Sequence, residues 1–189
     1  MDNYRELFLM QQIYATSFSL TNKIQGKGDN YMDHFTSRQF MVMMAVAHIS
    51  EDESTLNNIA RKLGSTKQSV KQMIMILENK GYIKISPSSK DKRAVNVTIT
   101  DSGKQALLED GEKATFFLEE LFTEFSTEEL ETMWGLLKKL YRFDGEQQDG
   151  FEEDGSLEFT ENQNDTQMKV LKEFEKRRTH RGVENSHEE

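Results

Sequence analysis

The stretch Thr55-Leu56-Asn57-Asn58-Ile59-Ala60-Arg61-Lys62-Leu63-Gly64-Ser65-Thr66-Lys67-Gln68-Ser69-Val70-Lys71-Gln72-Met73-Ile74-Met75-Ile76-Leu77 decides the fold. In its first part Leu56, Ile59, Ala60 and Leu63 fall at i, i+3, i+4 and i+7, the spacing of one helix face. After Gly64-Ser65-Thr66 the same spacing returns at Val70, Met73, Ile74 and Leu77. Two short helices that bury such stripes against one core, joined by so short a link, form a sharp corner. Gly64 suits a left-handed C-cap, Ser65 with Gln68 has capping-box spacing, and Gly81 ends the second helix.

Beyond Gly81, Tyr82-Ile83-Lys84-Ile85-Ser86 and Ala94-Val95-Asn96-Val97-Thr98-Ile99-Thr100 carry β-branched residues in alternation and read as two strands. Between them lies Pro87-Ser88-Ser89-Lys90-Asp91-Lys92-Arg93, a basic loop that extends the corner into a wing. Placing Val70, Met73, Ile74 and Leu77 inward leaves Gln68 and Gln72 outward, with Lys71 and Ser69 on opposite flanks. Gln can pair with an adenine edge through two hydrogen bonds, and Lys serves as a phosphate anchor or guanine contact. Thr66 and Lys67 fall in the first turn, where helix N-termini approach a phosphate backbone.

The formal net charge of -9 argues against a DNA binder until it is placed along the chain. Residues 61–93 hold nine basic residues against Glu78 and Asp91, a local charge of +7. Residues 144–165 hold nine carboxylates and no Lys or Arg. The electrostatic mark of a nucleic-acid binder is a local patch, and this patch coincides with the corner and wing.

Outside this region the sequence predicts mostly helix. A long first helix runs from about Tyr4 to Lys27, and Thr36 with Gln39 has capping-box spacing ahead of Phe40, Met41, Met43, Met44 and Val46. A third long helix starts near Asp101, and Ser126 with Glu129 opens a fourth that carries Leu130, Met133, Trp134, Leu137, Leu140 and Tyr141. The methionines Met41, Met43, Met44, Met73 and Met75 read as adaptable core. The end helices carry more apolar surface than one small domain covers.

The run Gly81-Tyr82-Ile83, the wing Asp91-Lys92-Arg93 and Val97-Thr98-Ile99-Thr100-Asp101-Ser102-Gly103, in order with the flanking helices, resemble the multiple-antibiotic-resistance regulator (MarR) family over residues 4–143. The resemblance implies a homodimer in which N- and C-terminal helices of two subunits interdigitate. It implies that Arg93 enters a minor groove and that Asp91 positions it. Lys92 stands where an arginine is common, which weakens a groove-inserting role there, and Lys90 adds charge only. It further implies a small-molecule effector in the crevice between reading head and dimerisation helices, bounded here by Phe18, Met43, Met44 and Phe117.

The fold class expected is mainly α with a small β-hairpin wing, a winged helix-turn-helix with N- and C-terminal dimerisation helices. That unit occupies residues 1–143, with its DNA-binding core at 55–100. Residues 144–165 are expected to be an acidic linker, and 166–189 a short amphipathic helix, centred on Met168, Leu171 and Phe174, followed by a disordered tail.

The chain has no Cys, which excludes thiol-based sensing. It shows no apolar run fit to cross a bilayer, no signal-peptide pattern, no compact His metal motif and no catalytic motif such as Gly-x-Ser-x-Gly. The function expected is therefore non-enzymatic and cofactor-free: a cytoplasmic, sequence-specific regulator of transcription that binds double-stranded DNA. It would act as a ligand-responsive homodimeric repressor on a pseudo-palindromic operator, with no membrane partner. The alternative is a winged-helix protein-interaction module whose basic face binds an acidic partner.

Overall fold

The computed structural model describes residues 3–88, 90, 93–145, 151 and 160–185, with 162 and 180–185 described by backbone alone. In chain order the elements are α1 (Asn3–Gly28), α2 (Ser37–His48), α3 (Leu56–Lys62), α4 (Lys67–Asn79), β1 (Ile83–Pro87), β2 (Val95–Ile99), α5 (Asp101–Leu121), α6 (Thr127–Tyr141), a 3-10 turn (Arg142–Asp144) and α7 (Glu161–Asn185). This is the mainly helical winged helix-turn-helix that the sequence predicts, with one antiparallel hairpin.

The caps explain where the helices begin and end. Thr36 with Gln39, and Ser126 with Glu129, each form the reciprocal capping box. At α4 the structure corrects the sequence reading by one residue: the N-cap is Thr66, whose hydroxyl accepts from the Ser69 N–H at 3.2 Å. Gly64 and Gly81 adopt φ of +56° and +76°. Each lets the chain close the preceding helix by donating backward, Ser65 to the Ala60 carbonyl and Tyr82 to that of Leu77.

The core joins Val42, Met43 and Val46 of α2, Ile59 of α3, Val70, Ile74 and Leu77 of α4, Ile83 and Val97 of the hairpin, and Leu107 of α5. Full burial of each such side chain contributes about 1.5–3 kcal/mol, so the corner is held by its apolar stripes rather than by its turn. α2 is the hub, touching α3, α4, β2 and α5. The hairpin pairs Ile83 with Ile99 and Ile85 with Val97. A bridge between Thr55 and Asn96 fastens it to the start of α3.

Gly103 accounts for the end of the Val97–Gly103 motif. Thr100 donates its N–H to the Tyr82 carbonyl at 3.0 Å and its hydroxyl to that of Gly81 at 2.7 Å. The first turn of α5 is thereby drawn so close that a Cβ on Gly103 would meet the Tyr82 carbonyl oxygen at 2.0 Å. Only glycine fits there.

The outer helices are undercovered. Leu7, Phe8, Met10, Ile13, Tyr14 and Phe18 of α1 are exposed, and α6 has no buried residue, leaving Leu136, Leu137 and Leu140 in the open. A helix with most of its length unpacked is marginal in water, because its stability comes mainly from tertiary burial.

The C-terminal region is anchored at two points. α7 lies along α5, and the Arg178 guanidinium donates to the Phe122 and Phe125 carbonyls, both at 2.8 Å, at the corner between α5 and α6. The helix is longer than the short segment read from the sequence, 25 residues against a stretch centred on Met168 to Phe174. Within the acidic run, Phe151 packs against the core, its ring 5.3 Å from that of His48 with the Lys62 ammonium 4.9 Å above it. Among the described residues no helix is long and apolar enough to cross a membrane.

Candidate nucleic-acid interface

The recognition helix α4 divides cleanly. Val70, Ile74 and Leu77 are buried and Met73 half-buried, while Lys67, Gln68, Lys71, Gln72 and Met75 are exposed. Gln68, Lys71, Gln72 and Met75 follow at i, i+3, i+4 and i+7 and therefore share one face. Ser69 does not flank that face. It turns toward the scaffold and lines a crevice with Met73, which follows it at i+4 on the same side of the helix. Thr66 stays at the helix start, where its hydroxyl accepts from Ser69 and retains its own proton to donate.

Met75 was read from the sequence as core, and the structure places it 52% exposed. The signal for this was present in the spacing: Met75 sits outside the Val70, Met73, Ile74, Leu77 stripe.

In the wing, Arg93 is exposed beyond the hairpin's end, and the Ser88 N–H donates to the Ala94 carbonyl at 3.0 Å. Asp91 and Lys92 lie outside the described residues, so the expected Asp91–Arg93 relation is left where the sequence put it. Lys90, itself exposed, reaches across the surface to the loop between α2 and α3, its ammonium 2.5 Å from the Asp52 carboxylate and 3.5 Å from that of Glu53. That hydrogen bond to Asp52 holds Lys90 above its ordinary pKa, and the Lys90 ammonium holds Asp52 below its own. Lys90 is thus a strut for the wing.

The local charge is correspondingly smaller in effect than a count suggests. Lys62 sits under Phe151, Lys80 donates to the His34 carbonyl at 2.7 Å and to the Gln39 side chain at 3.1 Å, and Lys90 is ion-paired. Among the described residues, the side chains of Arg61, Lys67, Lys71, Lys84 and Arg93 are exposed.

The loop between α1 and α2 joins this reading head to α5. Asp110, 0% exposed, accepts from the backbone N–H groups of Asp33, His34 and Phe35 at 3.0, 3.0 and 2.9 Å. The His34 Nε2 lies 2.7 Å from the Glu109 carboxylate, and Nδ1 lies 3.2 Å from the Tyr82 hydroxyl. A carboxylate can only accept, so Nε2 donates there, and in a neutral ring Nδ1 accepts from Tyr82. Gln105 first, and then His34, hold Glu109 below its usual carboxylate range. Lys80 and Tyr82 at the end of α4 therefore meet Glu109 and Asp110 of α5 through one short loop. Sequence reasoning missed Asp110, although a carboxylate on the otherwise apolar stripe Ala106, Leu107, Ala114, Phe117 was the signal.

The four residues expected around an effector do not come together. Phe18 is 61% exposed on α1, edge-on to Tyr14. Met43 is wholly buried in the core. Met44 lines a cavity of about 570 Å³ between α2, α5 and α7, whereas Phe117 lines a different crevice of about 650 Å³ between the reading head and the scaffold helices. Met43 points into the core that α2 shares with α3 and α4, whereas Met44, about 100° further round the helix, faces α5 and α7. The second crevice is bounded by Ile24, Arg38, Met41, Met73, Phe117 and Tyr141 among others.

A two-helix corner with a polar outer face, followed by a hairpin whose tip carries an exposed arginine, defines the class: a winged helix-turn-helix protein. Within it the chain has the fold of the MarR regulators, as the sequence resemblance implied. A MarR/EmrR family transcriptional regulator from Acinetobacter is 23% identical, with a TM-score of 0.64 over 71% of this chain and 95% of its own. The S. aureus MepR protein, solved in complex with DNA, is 26% identical, with a TM-score of 0.60 over 68% of this chain and 96% of its own. An uncharacterized HTH-type transcriptional regulator of Bacillus subtilis, YwaE, is 36% identical over 80 residues, which are 42% of this chain and 40% of that protein. This chain thus matches well under half of that relative's length. No family profile matches the chain.

Proposed function

We propose that the chain is a sequence-specific regulator of transcription that binds double-stranded DNA, acting in the cytoplasm as a homodimeric repressor. The observation that carries this reading is the outer face of α4, where Gln68, Lys71 and Gln72 stand exposed at the N-terminal end of a helix held rigidly by its buried stripe. Such side chains suit base edges and phosphates. Arg93 on the wing and Lys67 and Thr66 at the helix start are the flanking contacts. The structure of MepR with DNA supports the same reading by likeness. Residues 1–143 would be the regulatory unit, with the acidic segment and α7 appended to it.

The exposed apolar surfaces of α1 and α6 support a second copy as partner, and the crevice between reading head and scaffold supports a small-molecule effector. An effector acts only through different affinities for two spacings of the recognition helices. Among the described residues no cluster of His, Asp or Glu is fit to hold a metal ion, and the reading assigns no catalytic residue.

Selection of bound duplexes from a random pool tests the proposal. The expected product is an inverted repeat with half-sites about one helical turn apart, roughly 34–36 Å. Recovery of no preferred sequence would overturn it.

A further inference from the structure

The stripe that seats α4 is complete without Met75: Val70, Ile74 and Leu77 are buried and Met73 is half-buried. Met75 projects from the other side, 52% exposed. An exposed methionine alone is unremarkable, since much of any protein surface is apolar. Its company is what distinguishes it. Gln68, Lys71 and Gln72 precede it on the same face and Asn79 follows at i+4, so Met75 stands within a row of hydrogen-bonding and cationic side chains, with Ile76, 44% exposed, at the edge of that face.

A surface built to meet base edges encounters one prominent apolar group in the major groove, the C5-methyl of thymine. Met75 lies three residues beyond Gln72, a rise of about 4.5 Å. That is close to the roughly 3.4 Å between base pairs. The unbranched thioether has three rotatable bonds with which to reach an irregular contact.

We propose that Met75 packs on the C5-methyl of a thymine and so specifies a T·A pair about one step from the pair that Gln72 reads. This rests on the DNA-binding function proposed above. Methyl recognition adds to that reading what Gln and Lys cannot supply, because uracil and thymine offer them the same hydrogen-bonding groups and differ only in the methyl.

The test replaces each thymine of a selected site, in turn, by deoxyuridine, which removes the methyl and keeps the base pair. One position per half-site should lose about fourfold in affinity, the worth of roughly one buried methylene-sized group. Met75→Ala should bind thymine and deoxyuridine duplexes equally, and Met75→Leu should keep the preference. The inference is overturned if no position responds to deoxyuridine, or if Met75→Ala still discriminates. It is also overturned if Met75→Ala shifts the sedimentation of the DNA-free protein, which would assign the face to a second copy. Gln68→Ala and Lys71→Ala separate the two levels: if they weaken binding while deoxyuridine has no effect, only the role of Met75 fails. If they too bind as the parent does, the DNA-reading face itself is wrong.

Discussion

Lys71 and Lys90 carry the same charge, the first expected as a phosphate anchor or guanine contact and the second as added charge on the DNA-facing wing, but their surroundings give them different work. Lys71 stands exposed between Gln68 and Gln72, whereas Lys90 is held by Asp52 and Glu53. Releasing a counterion requires a cation that is available to a phosphate. Lys71→Ala should therefore lower the slope of log affinity against log salt by about 1, while Lys90→Ala should leave it unchanged. A salt titration of both variants on one duplex checks this, and equal slopes for the two would return Lys90 to the interface. At Gly103 the constraint is steric. Gly103→Ala should destabilise by at least about 1–3 kcal/mol, the usual cost of overpacking, because the obstruction is the Tyr82 backbone and not a movable side chain. A denaturant midpoint no lower than the parent's would show that α5 can shift freely at this point.

At the scale of elements, the loop between α1 and α2 is the junction through which α4 and α5 are held. Asp110→Asn keeps the volume but sets an amide N–H₂ against backbone donors, so at least one of the three N–H groups loses its acceptor. A loss of about 1–3 kcal/mol in stability is expected, measured by chemical unfolding. A neutral outcome would mean that the loop is fixed by its other contacts. Glu109 gives this junction a pH dependence of known sign. Its folded pKa is lowered, so what it contributes is complete above its ordinary value of 4.5 and is lost as pH falls through the lower, folded value. Glu109→Gln should flatten the acid limb of a stability profile at that point. The helices were legible from apolar spacing and caps, since both arise within a few residues of sequence. The junction was not, because it pairs residues about 75 positions apart.

The whole molecule presents a long helix, α1, that its own chain hardly covers. Sedimentation should find a dimer at low micromolar concentration, because the exposed faces of α1 and α6 need an apolar partner. A chain ending before Ser126 should aggregate or fail to fold, and a stable, well-folded monomer from the intact chain would contradict this assembly. The C-terminal region enters the same scale, because Arg178 satisfies carbonyls at the corner between α5 and α6 while Phe151 rests on Lys62 of α3. Reading 144–165 only as a charged run passed over Phe151. Composition describes a segment by its average, and a single aromatic anchor is invisible in an average.

Local rules were enough for the winged corner, since a 3.6-residue period, two left-handed glycines and an alternating hairpin each act within a few residues. They also fixed which side of α4 carries Gln68, Lys71 and Gln72, because burying one stripe determines the opposite one. Only the tertiary structure decided what each charge and apolar group meets: Lys90 on Asp52, Ser69 in the crevice, Met43 in the core and Met44 in a separate cavity. Those outcomes depend on which elements pack together and at what angle, and helix spacing carries no information about either.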